Sequence, residues 1–135
     1  MAEQRTPGCE PVSKNTKIEL ELRSLGSPDV EFHAWEPSTN AEVFFLVEME
    51  IGEAGVDGTD LFQVVVATPE ALRAKSKAEA ITIRERSTLV VSNYDWHEIK
   101  KSLESIVRKC ESENWAVSTL KLQRYFNWEY EDYKM

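Results

Sequence analysis

Two cysteines, two histidines and 24 acidic residues are the side chains of this 135-residue chain from which catalysis or metal binding could be built. Cys9 lies in a polar leader with proline and glycine, and Cys110 falls on the apolar stripe of a helical pattern, so the two form no metal-ligand spacing. Acting as a nucleophile with His33 or His97, Cys110 would have to leave that stripe, whereas a buried inert thiol requires no adjustment. His97 follows Trp96 on the first turn of a helix and reads as a surface residue. His33, in a loop between Phe32 and Trp35, reads as a packed or hydrogen-bonded one. A Cys-His enzyme is therefore rejected, and so few cysteines at such distance fit a reducing compartment.

The glycine-rich run from Gly52 to Asp60 lacks the regularly spaced acids and closing glutamate of a calcium loop, so its glycines read as turn geometry. Carboxylate pairs are too plentiful in an acidic chain for a glycosidase-like pair to stand out. Dinucleotide, phosphate-loop, zinc-protease and serine-hydrolase signatures are absent, so the expectation is a binding protein without cofactor or metal.

Sixteen basic residues leave a formal net charge of -8. That balance argues against nucleic acid as a partner, since phosphate is bound by Lys and Arg, and in favour of basic proteins. The charge is unevenly distributed. Residues 24–72 hold ten acids and no Lys or Arg, while the rest of the chain holds 14 acids against 16 bases. A solvated face that aids solubility is the bland reading of this block. The functional reading places Glu48 and Glu50 on one strand face with Phe44 and Leu46, adds Glu53, Asp57 and Asp60 from the adjoining loop, and takes the mixture of acid and apolar groups as a protein-binding surface. The commoner fate of Phe44 and Leu46 would be cover by a helix.

The elements that must position these groups are legible from period. Residues 1–16 have little to bury and are expected to form a flexible leader before a single domain over 17–135. Residues 17–24 alternate, with Ile18, Leu20 and Leu22 on one face. A long loop pinned by Phe32 and Trp35 follows. Residues 41–51 form a second strand, with Val43, Phe45, Val47, Met49 and Ile51 on one side. After the glycine turn, the β-branched run 60–68 completes an antiparallel hairpin. Pro69 opens a short helix, 76–86 is a loose link, and 87–93 is a fourth strand. Asp95 and Glu98 make a capping-box pattern ahead of a helix whose stripe is Trp96, Ile99, Leu103, Ile106, Val107 and Cys110. A last helix runs from about Trp115 to Tyr125, before an aromatic, acidic tail. The expected fold is α+β: a mostly antiparallel sheet of about four strands with two C-terminal helices packed on one face. The start lacks the apolar core of a signal peptide, and no apolar run reaches the roughly 20 residues of a membrane helix, so a soluble cytoplasmic protein is expected.

Taken together, the acidic strand entering a turn with Gly58, Asp60 and Phe62, the Thr68-Pro69 strand end, the Tyr94-Asp95-Trp96 helix start and the closing Trp128-Glu129-Tyr130 resemble the immunity protein 8 family of bacterial polymorphic toxin systems. The likeness runs from about Leu20 to Tyr133. It implies a small cytoplasmic α+β antidote that binds the C-terminal domain of a cognate toxin and blocks it stoichiometrically, with no catalytic residue to carry over. Phe126, Trp128, Tyr130 and Tyr133 are then expected to pack the last helix and tail against the sheet. A nuclease toxin would offer a basic, phosphate-binding cleft that acidic side chains can imitate. The expected toxin-binding set is Glu48, Glu50, Glu53, Asp57 and Asp60 with the aromatics Phe44 and Trp35. Two other classes compete with this reading. One is a regulatory or scaffold domain that binds some other protein, and genome neighbourhood would separate it. The other is an acid-base enzyme, which requires a pocket holding a strongly shifted carboxylate.

Overall fold

The computed structural model describes residues 17–37, 42–79 and 87–130. The expected leader, Cys9 and Tyr133 lie outside them, as does most of the link after the first helix. Five strands, β1 (Leu20–Gly26), β2 (Phe44–Glu53), β3 (Asp60–Ala67), β4 (Thr88–Val90) and β5 (Asn127–Trp128), accompany three helices, α1 (Pro69–Glu79), α2 (Trp96–Lys109) and α3 (Trp115–Leu122). The architecture is α+β and the chain a single domain. The sheet order is β1-β2-β3-β4, with β5 beside the other half of β3. β3 and β4 pair in parallel, because helix α1 carries the chain back to the end from which β3 started.

Period-two patterning decides the inner face. Val43, Phe45, Val47, Met49 and Ile51 are all wholly buried, as are Phe62 and Val66, and they pack against Ile99, Leu103 and Val107 of α2 and Leu122 of α3. Each such side chain stabilises the fold by roughly 1.5–3 kcal/mol relative to exposure. The first strand departs from simple alternation. Leu22 stands opposite Ile51, but Ser24 stands opposite Glu50 and Leu25 opposite Met49, so the register shifts between Leu22 and Ser24. This bulge turns Leu25 rather than Ser24 towards the core and pushes Arg23 out of the ladder.

Helix starts follow the capping rule. The Asp95 carboxylate accepts from the Glu98 amide at 3.3 Å and the Asn114 side chain from the Val117 amide at 2.8 Å, each satisfying an orphan donor of the first turn. The last helix stops at Leu122, and Phe126 just beyond it plugs the core. The chain then pairs Asn127 and Trp128 with Gln63 and Phe62, a short strand that the aromatic tail conceals in sequence.

The loop after β1 is held from within. Phe32 stacks on Trp96 with centroids 3.8 Å apart, Trp35 meets Phe45 and Tyr94 edge-on, and the Tyr94 hydroxyl donates to the Phe32 carbonyl. This aromatic cluster joins the loop to the start of α2.

Candidate functional site

With α2 and α3 packed on the inner face and Lys75 of α1 over Phe44, the other face of the sheet can be read row by row from the strand register. Phe44 stands beside Ala67, with Val90 beyond it. Leu46 stands beside Val65, with Thr88 beyond. Glu48 lies between Gly26 and Gln63, with Asn127 beyond. Glu50 lies between Ser24 and Leu61, and past Leu61 the Glu129 amide donates to the Leu61 carbonyl at 2.9 Å. The face is thus apolar at one end of β2 and acidic at the other. Its apolar end carries Val90 at 55% exposure, and Glu50 is exposed at the acidic end.

Local contacts set how these groups are presented. Gln63 donates its side-chain amide to Glu48 at 3.1 Å, which orients a half-buried carboxylate. The Lys75 ammonium of α1 sits 4.7 Å from the centre of the Phe44 ring, a cation already seated on the apolar end of the face. Phe44 and Leu46 are each half-buried. Glu129, which the sequence offered only as part of an aromatic landmark, brings its carboxylate to the Leu61 amide at the acidic end.

The remaining acids of the expected set go elsewhere. Asp60 stands opposite Ile51, an inward position, and its carboxylate accepts from the Trp128 indole at 3.0 Å. Glu53 shares that inward parity, opposite Leu20. Glu53, Asp57 and Asp60 line, with Val56 and Trp115, a cavity of about 320 Å³ at the hairpin end. Trp35 belongs to the aromatic cluster over Phe45. The seven residues therefore fall into three places: Phe44, Glu48 and Glu50 on the outer face, Glu53, Asp57 and Asp60 at the hairpin end, and Trp35 in the packing under the loop.

Sequence reasoning missed Arg23. Displaced by the bulge, it donates to the carbonyls of Glu53, Val56 and Gly58 at 2.6, 2.8 and 3.1 Å, and pairs with the Glu21 carboxylate at 2.8 Å. The acidic hairpin is thus shaped by a cation from the neighbouring strand. Gly52 makes room for it, since a Cβ there would lie 2.6 Å from the Gly58 oxygen and 3.0 Å from the guanidinium carbon. Gly55 and Gly58 take φ values of 80° and 95°, the turn geometry expected of them.

Titration shifts fall outside these surfaces. Burial pushes the Tyr94 hydroxyl up, with Glu31 adding to it. Burial likewise raises the Cys110 thiol against the pull of Lys109, Lys121 and Arg124. The Ser112 hydroxyl, followed by its own backbone amide, lowers exposed Glu113. Cys110 is buried, and His33 and His97 are both exposed. Among the described residues no group of three or more His, Cys, Asp or Glu could hold a metal ion, and no helix is long and apolar enough to cross a membrane.

The same stretch that builds β1 through β5 is matched by a family model, that of immunity protein 8, over residues 20–133. The chain belongs to the immunity protein 8 family. No curated protein and no solved structure matches it. As a member of the immunity protein 8 family, the chain is an immunity protein for a toxin, and its partner is that cognate toxin.

Proposed function

We propose that this immunity protein acts in the cytoplasm by stoichiometric binding of the C-terminal domain of its cognate toxin, through an acidic surface and without catalysis. The observation that carries the reading is the outer face of β2. Glu48 and Glu50 stand there beside half-buried Phe44 and Leu46, in a stretch, residues 24–72, that holds no Lys or Arg. A toxin that handles nucleic acid, such as a basic nuclease, presents the complementary charge. Steering by the acidic field raises the association rate, and the apolar side chains, once desolvated, slow dissociation.

Glu48 and Glu50 form the centre of the proposed contact, with Phe44, beneath the Lys75 ammonium, at its border. Asp57 and Glu53 extend it around the hairpin end, where Asp60 and Trp115 border the cavity. Asp60 also steadies Trp128, and Trp35 supports the face from beneath through Phe45. Co-expression with the cognate toxin domain tests the reading: cells survive, and the two proteins co-purify in equal amounts. Survival without a complex would contradict direct binding.

A further inference from the structure

The cavity at the hairpin end is walled by the Trp115 indole and by Val56, which is 49% exposed, and rimmed by Glu53, Asp57 and Asp60. Its volume of about 320 Å³ falls at the lower end of small-ligand sites, roughly 300 Å³. Trp115 differs from the other three tryptophans of the chain. Trp35 meets Phe45 and Tyr94, Trp96 stacks on Phe32, and Trp128 donates to Asp60 and stacks on Phe62. Among the described residues, the half-buried Trp115 ring has no ring or cation against it, and its indole N–H has no acceptor. Elsewhere the protein seats its own lysines on aromatic faces, Lys75 on Phe44 and Lys109 on Tyr125. Indole is the strongest such seat, and here it stands beside carboxylates without a cation of the chain.

The acids are uncommitted as well. Neither the Glu53 nor the Asp57 carboxylate has a partner among the described residues, and Asp60 gives one oxygen to the Trp128 indole. Arg23 leaves them free, since its donors go to three backbone carbonyls of the turn and to Glu21. That clamp fixes the hairpin before anything binds, which lowers the ordering cost of a contact there. Among the described residues no three acids stand close enough together to hold a metal ion. A flat organic cation whose N–H groups diverge suits such spacing. Guanidinium stacks on an aromatic ring through its plane and donates from its edges to two carboxylates at once, which the compact ammonium of lysine does not.

We infer that this cavity receives one arginine side chain of the toxin, its guanidinium laid on the Trp115 ring and its N–H groups donated to Glu53 and Asp57. The inference rests on the toxin-binding reading above and names the side chain that anchors the contact at the hairpin end.

The test is NMR titration of the full chain, reading the Trp115 indole N–H, which is identified by its loss in Trp115→Phe. N-acetyl-arginine methylamide should shift this signal and the amides of residues 53–60 saturably, with a dissociation constant on the order of 1–10 mM, as befits so small a ligand. The neutral isostere N-acetyl-citrulline methylamide should leave them in place. Equal shifts with both compounds, or none with the arginine compound, would overturn the inference. The cognate toxin domain, added in a second titration, should move the same signals, and Glu53→Gln/Asp57→Asn should weaken its binding by about tenfold or more. Neither carboxylate holds another part of the described fold, so the double variant folds. A complex that leaves the Trp115 signal and the double variant's affinity unchanged would remove the cavity from the contact while leaving toxin binding intact. Absence of any complex with the unmodified protein would remove the toxin-binding reading, and the inference with it.

Discussion

The guanidinium of Arg23 holds the carbonyl of Gly58 at 3.1 Å, across the turn that carries Glu53 and Asp57. Two more carbonyls of the same turn, those of Glu53 and Val56, share the guanidinium, so a single cation on a bulged edge strand fixes the shape of the β2-β3 hairpin. Arg23→Ala should lower stability by about 1–2 kcal/mol, the lower range for charge-assisted hydrogen bonds because the side chain is partly solvated. Urea unfolding reads this loss. Amide exchange in the native protein should rise at residues 54–59 and stay unchanged in α2.

Gly52 provides the converse test. A methyl group there meets the Gly58 oxygen and the Arg23 guanidinium together, so Gly52→Ala should destabilise by about 1–3 kcal/mol, the usual range for overpacking. In the Arg23→Ala background part of that cost should vanish, and a double-mutant cycle measures how much. Strict additivity would show that the clamp is not what Gly52 accommodates.

Helix α2 carries the inner face of the core and begins at one carboxylate. Asp95→Ala removes the acceptor of the Glu98 amide and should cost about 1 kcal/mol, while Asp95→Asn should cost a few tenths at most. Thermal melts of the two variants, compared at one pH, give the difference.

Burial raises the Tyr94 pKa in the folded state above the ordinary value of about 10. Below that value the hydroxyl is protonated whether the chain is folded or not, and the contribution is fully present. Above it the unfolded chain loses the proton first, so stability falls as pH rises through the folded pKa. Denaturation between pH 8 and 11 should show this decline. Tyr94→Phe should flatten it, while lowering stability at every pH through loss of the hydrogen bond to the Phe32 carbonyl.

Much of this fold was legible in the sequence, for reasons that identify what was not. The inward set of β2 follows from strict alternation, and α2 from its stripe and cap. These features are local, and each is written in a window of about ten residues. The bulge was hidden because Leu20 and Leu22 continue an alternation that breaks only when Leu25 must face Met49. The two-residue β5 has no period to detect, and the residues it pairs with on β3 are 64 and 66 positions away in sequence. The site divided in the same way. Alternation placed Glu48 and Glu50 on one face, but parity across the turn sent Glu53 and Asp60 inward. Trp35 pins its loop on Phe45, as the breakers around it and its own bulk suggested. The reach of Arg23 into the hairpin depends on strand order, which a single strand pattern does not encode.

The central claim is that the acidic outer face holds the toxin. Titration calorimetry of the protein against its toxin domain, from about 50 to 500 mM NaCl, measures it directly, with Glu48→Lys/Glu50→Lys as the variant and circular dichroism to verify its fold. The account predicts that wild-type affinity falls steadily with salt and that the double reversal weakens binding by about a hundredfold or more at low salt, in keeping with the cost of like charges brought together at an interface. An affinity and a salt dependence that the double reversal leaves unchanged would contradict it.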